Sequence, residues 1–285
     1  MIPSTFSYVQ AHSVEEAIRL LRDSDGEGKL LAGGHSLVPL LKFRLTTPGT
    51  LIDIGEIPEL RGVRKEGNRI IIGAMTTYRQ VLSDPLVAQH LPVLAEAIGQ
   101  IGDIQIRNRG TIGGNIAHAD PAADLPGVAL ALDAMLEIQG EDGAELVEAD
   151  GFFLGPLVTA LPETSLLTSV SFLIPPEGAR STYLKYAHPA SGYAVVGVCA
   201  IAALDPDGVV STIRVAVNGA GDVAYRARSV EDKLLGHAPT AERIRQAASL
   251  AADDGEMGSD QFASEEYRRH LCCVYAQRAL ESILL

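Results

Sequence analysis

The chain reads as two folding patterns that meet at Ile174-Pro175-Pro176-Glu177-Gly178. Neither proline can donate to a strand ladder, and the glycine lets the chain reverse, so the first pattern must end there. Before this break, helical and extended segments alternate. Ser13-Val14-Glu15-Glu16 has the form of a capping box opening a helix that buries Val14, Ala17, Ile18 and Leu21. Strands are expected at Lys29–Ala32, Leu51–Ile54 and Arg69–Met75, with Thr76 or Thr77 capping the helix that follows. Asp84-Pro85 marks a turn before a helical segment ending near Gly99. A helix at about Leu125–Asp133 precedes strands near Ala134–Gln139 and Leu166–Ile174.

Beyond the break the order changes. Strands are expected at Thr182–Ala187, Ala194–Leu204 and Val209–Asn218, with Asp205 to Gly208 as a hairpin turn. Helices at Ser229–Leu235, Ala241–Ala252 and Ser264–Ile283 then close the chain. Three antiparallel strands backed by helices make an α+β unit. The expected division is therefore residues 1–176 and 177–285, the first of them splitting near residue 54 into parts covering about 1–54 and 55–176.

Charge removes several functions. The chain has 23 basic and 36 acidic residues, a net of −13, and no long Lys/Arg run, which disfavours nucleic acids and anionic membranes as partners. Its longest apolar run, Ala194–Leu204, is broken by Gly197 and falls well short of the ~20 residues a membrane span needs. Met1 to Phe6 lacks the basic and then apolar pattern of a secretory signal. Cys199, Cys272 and Cys273 form no C-x-x-C pair, so neither an iron–sulfur cluster nor a zinc is expected on this chain, and the cytoplasm is the expected compartment.

From Asp103 to Pro126 the sequence is dense in Gly, Asn, Asp and Pro and shows no sustained periodicity, so a long functional loop is expected. Within it lies Thr111-Ile112-Gly113-Gly114-Asn115. Earlier, Ala32-Gly33-Gly34-His35-Ser36 follows a strand. Each pair of glycines, with a small polar donor beside it, can expose successive amides as an anion-binding nest suited to a pyrophosphate, or can be a plain turn. Ser36 can also cap the short helix after it. Gly219-Ala220-Gly221-Asp222-Val223-Ala224 fits the dinucleotide fingerprint G-x-G-x-x-A formally, but the parallel strand and later acidic residue are missing, so a helix-entry turn is expected there.

These residues together resemble the FAD-binding medium subunit of the carbon monoxide dehydrogenase / xanthine dehydrogenase family. The resemblance rests on the two glycine motifs in order. It is joined by Ile71 to Thr77, Gln105-Ile106-Arg107-Asn108, Gly192 to Gly197, Arg226 to Gly236, and Phe262 to Arg268. It implies a vanillyl-alcohol-oxidase-type FAD-binding domain of two α/β subdomains followed by a cap of three antiparallel strands and helices. It also implies non-covalent FAD lined by Ala32, Gly33, Gly34, His35, Ser36, Thr111, Ile112, Gly113, Gly114 and Asn115. Asp124, Lys185 and Ile101 would lie near the cofactor, with Tyr193 at the flavin face. Partners implied are a small subunit with two 2Fe–2S clusters and a large subunit with molybdenum cofactor, in a dimer of heterotrimers. The complex would be cytoplasmic or peripheral to the inner face of the membrane.

Plainer readings stand beside these. Asp124 can be only a helix cap, and Lys185 only a surface cation. Tyr193 can be a strand aromatic with a hydrogen-bonded hydroxyl. His118, Asp120 and Asp124 lack the further ligands of a metal site, so none is expected. His35 could in principle carry a covalent flavin, which the resemblance does not favour. Cys272 and Cys273 read as packing residues. Two rival functions remain: a free-standing FAD oxidase or dehydrogenase with its own small substrate, and a flavin-free scaffold subunit.

Overall fold

The computed structural model describes residues 1–285. β1 (Ser7–Gln10), α1 (Val14–Asp23), β2 (Gly28–Leu31), α2 (Leu37–Phe43) and β3 (Thr50–Asp53) form a parallel unit in strand order β1-β3-β2. Ser13 caps α1 by accepting from Glu16 N, and the helix buries Val14, Ala17, Ile18 and Leu21 with Ile52 and Ile54 of the sheet side. The Glu16 carboxylate reaches back to His12 N at 2.9 Å, one residue before the position a capping box would use.

A short 3-10 turn at Pro58–Leu60 leads to β4 (Val63–Glu66) and β5 (Arg69–Gly73). Six helices follow: α3 (Tyr78–Ser83), α4 (Pro85–His90), α5 (Pro92–Gly99), α6 (Ile104–Arg109), α7 (Ile112–His118) and α8 (Leu125–Ala131). Thr77 opens α3 with a complete capping box to Gln80, and Asp84 caps α4. Then come β6 (Met135–Gly140), β7 (Gly143–Glu148), the small hairpin β8 (Phe153–Gly155) with β9 (Val158–Thr159), and β10 (Leu166–Leu173). The sheet order is β4-β5-β10-β6-β7 and every pairing is antiparallel. The expected α/β alternation therefore holds only for the first part. Here the sheet is built from hairpins, and their outer strands β4 and β7 are largely exposed and lack apolar alternation, so periodicity does not reveal them.

The last part holds β11 (Arg180–Ala187), β12 (Ala194–Leu204), β13 (Val210–Asn218), β14 (Tyr225–Arg226), α9 (Arg228–Leu234), α10 (Ala241–Ala248) and α11 (Glu265–Leu284). Its sheet has four strands in the order β11-β12-β13-β14, not the three expected. The added strand is only Tyr225–Arg226, too short to leave a pattern. The Gly219–Gly221 segment leads into β14 and not into a helix, which corrects the expected helix-entry turn. Gly219 sits at φ +80°, and a Cβ on Gly221 would collide with the Glu256 carbonyl oxygen.

β12 explains the long apolar run. Cys199 and Ile201 face the core of the preceding sheet and helices, while Val196, Val198, Ala200 and Ala202 face the layer of α9, α10 and α11. A strand buried on both faces reads as continuous hydrophobicity. Cys272 lies in that helical layer, where burial pushes its thiol up to about 12. The free edge of β11 is covered by α5: Tyr183 N donates to Glu96 Oε2 at 2.8 Å, and Gln100 Nε2 donates to Tyr183 O at 3.2 Å. On the far side of this junction, Asp133 accepts from Arg214 Nε at 3.0 Å and Arg226 Nη1 at 2.8 Å. Arg226 also forms a two-point pair with Glu231, whose Oε1 in turn accepts from Val215 N at 2.8 Å.

The Arg226–Glu231 pair is nearly sealed from water, so removing the Glu231 charge leaves a buried guanidinium with only its Asp133 contact. Glu231→Gln is expected to lower the unfolding free energy by about 3 kcal/mol, read from urea denaturation. A loss below about 0.5 kcal/mol would place the pair among surface-like contacts of little consequence.

Candidate functional site

A cavity of about 770 Å³ opens where β2, α7, β10 and the loop before β12 converge. Its wall includes Ala32, Gly33, Gly34, His35 and Ser36 from one side and Thr111, Gly113, Gly114 and Asn115 from another. Ile101, Asp124 and Tyr193 also line it. Two of the residues singled out from sequence lie outside the wall. Ile112 is fully buried in the core, and Lys185 stands behind Asp124.

The segment after β2 is a backbone donor site. Gly34 takes φ +75°, a conformation that strains any residue with a Cβ. A Cβ on Gly33 would collide with the Arg109 carbonyl oxygen and lie 3.0 Å from Gly110 Cα. The amides of Gly33, Gly34, His35 and Ser36 donate to no group in the chain. Ser36 occupies the cap position of α2, but its side chain makes no capping bond, contrary to expectation. A run of unpaired N–H groups around one left-handed residue is an anion-binding concavity.

The second pair of glycines works differently. The expected loop from Asp103 to Pro126 contains α6 and α7, of 6 and 7 residues, each too short to show a helical period. Asp103 caps α6 and Thr111 caps α7. Gly113 N donates to Ala74 O at 2.9 Å, Gly114 N to Thr111 Oγ1 at 3.1 Å, and Asn115 N to Thr111 O at 3.1 Å. These amides are committed, so the nest expected here is absent. The glycines instead allow close approach: a Cβ on Gly113 would collide with Ala74, and one on Gly114 would sit 2.7 Å from Thr111 Oγ1 and 3.6 Å from Ala32 Cβ. Asn115 Nδ2 donates to the Tyr78 hydroxyl at 2.9 Å, leaving its buried Oδ1 without a partner.

Beside the cleft lies a buried polar group drawn from both halves of the molecule. Tyr183 Oη donates to Asp124 Oδ1 at 2.5 Å, Lys185 Nζ donates to Asp124 Oδ2 at 3.1 Å, and Asn218 Nδ2 donates to Tyr183 Oη at 3.2 Å. Asp124 opens α8 but makes no capping bond, and the Lys185 side chain is 3% exposed, so the plain cap and surface-cation readings both fail. Burial raises the Asp124 carboxyl above its ordinary range, against the pull of the Lys185 ammonium. Burial, reinforced by Asp124, holds the Tyr183 phenol well above its own range, so it stays a donor.

Tyr193 precedes β12 and is 46% exposed, so it is not a strand aromatic. Its loop is closed by His188, which donates N–H to Tyr193 O and accepts Gly192 N, both at 2.8 Å. The structure adds wall residues that carry no motif and were missed, among them Tyr78, Leu161 and Ser165–Leu167.

Lys185→Met would leave Asp124 buried without its counter-charge. The folded-state pKa of Asp124 is already raised, and this change raises it further. Stability is then full below the ordinary carboxylate pKa and falls as pH rises through the elevated one. Denaturation at a series of pH values should show a deficit growing to about 3 kcal/mol on the alkaline side. Adding Asp124→Asn should flatten that dependence, and a slope that persists in the double variant would contradict the assignment.

Comparison with known proteins agrees along the whole chain. A family model described as the FAD binding domain in molybdopterin dehydrogenase matches residues 4–175, and one described as the CO dehydrogenase flavoprotein C-terminal domain matches 181–283. The carbon monoxide dehydrogenase medium chain of Hydrogenophaga pseudoflava is 40% identical over 282 residues, covering 99% of this chain and 98% of that one. The 6-hydroxypseudooxynicotine dehydrogenase complex subunit alpha of Paenarthrobacter nicotinovorans is 36% identical, covering 100% and 96%. The solved carbon monoxide dehydrogenase of Hydrogenophaga pseudoflava superposes with a TM-score of 0.96, over 99% of this chain and 98% of that one. Quinoline 2-oxidoreductase from Pseudomonas putida 86 superposes at 0.94 with 31% identity, over 100% and 98%. A backbone-donor cleft, a cap sheet docked on it and matches across both halves thus place this chain in the family of FAD-binding medium chains of molybdenum-containing dehydrogenases, alongside those of carbon monoxide dehydrogenase and xanthine dehydrogenase.

Proposed function

We propose that this chain is the electron-transfer subunit of a molybdenum hydroxylase complex, taking electrons from 2Fe–2S clusters of a small partner and passing them to an external acceptor. A large partner would hold the molybdenum cofactor, in a dimer of heterotrimers. The observation that carries the reading is the run of unpaired amides from Gly33 to Ser36 at the wall of the 770 Å³ cleft. The cleft fits FAD on further grounds. Its volume is within the ordinary range for a cofactor, its wall mixes apolar residues with a few polar groups, and Asn115 Oδ1 is a buried acceptor awaiting a donor.

In this reading residues 1–176 form the FAD-binding domain, with parts at about 1–54 and 55–176, and residues 177–285 form the cap. The amides of Gly33, Gly34, His35 and Ser36 hold the diphosphate. Thr111, Ile112, Gly113, Gly114 and Asn115 build the facing wall, with Ile112 anchoring α7 in the core. Ile101 and Tyr193 bound the ring end, and Asp124 with Lys185 keep a fixed dipole beside it. Bound FAD supplies a carrier that accepts and releases electrons one or two at a time. The chain orients it, excludes water from its inner edge and keeps the proton of Tyr183 on its own oxygen.

A relay is favoured over a free-standing oxidase because the cap offers the cleft only Ser191, Gly192 and Tyr193. Lys185, a basic group of the cap whose side chain is buried, is committed to Asp124 and to Gln100 O. Substrate choice would then lie on another chain. Consistent with that, medium chains of the same kind belong to enzymes named for carbon monoxide, glyceraldehyde and nicotine, at 40%, 35% and 37% identity to this one. No helix of this chain is long and apolar enough to cross a membrane.

Gly34→Val places a β-branched side chain at φ +75° and should weaken FAD binding by about a hundredfold, read from flavin released per complex on dilution. Gly114→Val, which would press on the Thr111 hydroxyl, should lower occupancy as well. Unchanged flavin content in both variants would sink the reading.

A further inference from the structure

The segment from Gly99 to Asp103 connects α5 to α6 and carries Ile101 into the cleft wall. Its carbonyl oxygens converge on two cations. Arg107 Nη1 donates to Gly102 O at 2.8 Å, to Ile101 O at 3.0 Å and, more weakly, to Gly99 O at 3.5 Å. The intervening carbonyl, that of Gln100, accepts from Lys185 Nζ at 2.9 Å. Arg107 returns to the turn because Asp103 caps α6 through Ile106 N at 2.8 Å, so the guanidinium lies one helical turn beyond the cap. Gly102 closes the bend at φ +51°, with no room for a Cβ against Ile106.

Hydrogen bonds from a charged donor are stronger and more directional than neutral ones, and here they gather on the exposed end of α5, where the helix dipole also favours a cation. A solvated loop tip would place its carbonyls in water. This one has four of its carbonyls held by two side-chain cations, and Ile101 and Gly102 of the same segment line the cleft.

We infer that Arg107 is a positioning residue: it sets how far Ile101 projects into the cleft, and through Ile101 it shapes the surface that the ring end of the cofactor meets. The inference rests on the FAD reading of the cleft, and the experiment separates the two. The full chain in its complex is prepared with Arg107→Met, Arg107→Lys, Ile101→Ala and the Met/Ala double change. Without added FAD, hydrogen exchange at residues 100–103 should rise about tenfold in Arg107→Met while residues 33–36 keep their rates. Arg107→Lys keeps the charge but not the planar fork and should fall between, which also guards against a general folding defect.

In FAD titration, Arg107→Met and Ile101→Ala should each weaken binding by about tenfold, and the double variant should be no weaker than the worse single one. Additive losses, or unchanged exchange at 100–103, overturn the inference. If no form binds FAD, the proposed function fails. The exchange arm still decides whether Arg107 governs the loop.

Discussion

Main chain meets main chain where Gly33 lies against the Arg109 carbonyl and Gly110 Cα, and on the other side Gly114 faces Ala32. A side chain at Gly33 would wedge the parallel unit away from the end of α6, whereas Gly114 meets Ala32 at ordinary contact distance. With glycine at 33 the two pieces close to backbone distance there, and the N–H groups of the turn at Gly34 have no acceptor in the chain. The cleft is thus a by-product of tight packing beside it. The neighbouring helix starts, by contrast, satisfy N–H donors through their own caps, Asp103 and Thr111.

The same economy governs the junction between the halves. β12 has no solvent face to spare: it is buried against α8 and its neighbours on one side and against α9 to α11 on the other. Gly127 of α8 comes so near that a Cβ would lie 2.6 Å from Asn218 Oδ1. Two polar groups fix the angle of that contact, Asp124 with Tyr183 and Lys185 at the cleft and Asp133 with Arg214 and Arg226 at the other side. Hydrophobic contact supplies most of the attraction, and it is directionless. The ionic groups supply orientation.

Much of this was legible in the residues, for reasons that can be named. Strong periods such as Val14 to Leu21, and runs such as Ala194–Leu204, report burial directly, so those elements could be read. The outer strands β4 and β7 are mostly exposed, lack apolar alternation and have no such signature. α6 and α7 span fewer than two periods each, and glycine at their starts reads as a turn. At the site, the first glycine pair could be read as a nest, whereas the second could not be told from it, because hydrogen bonds to Ala74 and to the Thr111 hydroxyl are long-range or side-chain facts. Tyr183, Asn218 and the wall at Leu161 and Leu167 stood outside every motif, being ordinary apolar or strand residues until the fold brings them together.

The polar group at Asp124 has a temporal side. Asp124 belongs to the segment synthesised first, while Tyr183, Lys185 and Asn218 all follow the proline break. On a ribosome the carboxylate emerges without partners and remains hydrated. Its ion pair with Lys185 can form only after that residue has been made. The Asp124 side of the cleft is thus completed by residues far along the chain, whereas the turn at Gly34 lies within the first parallel unit.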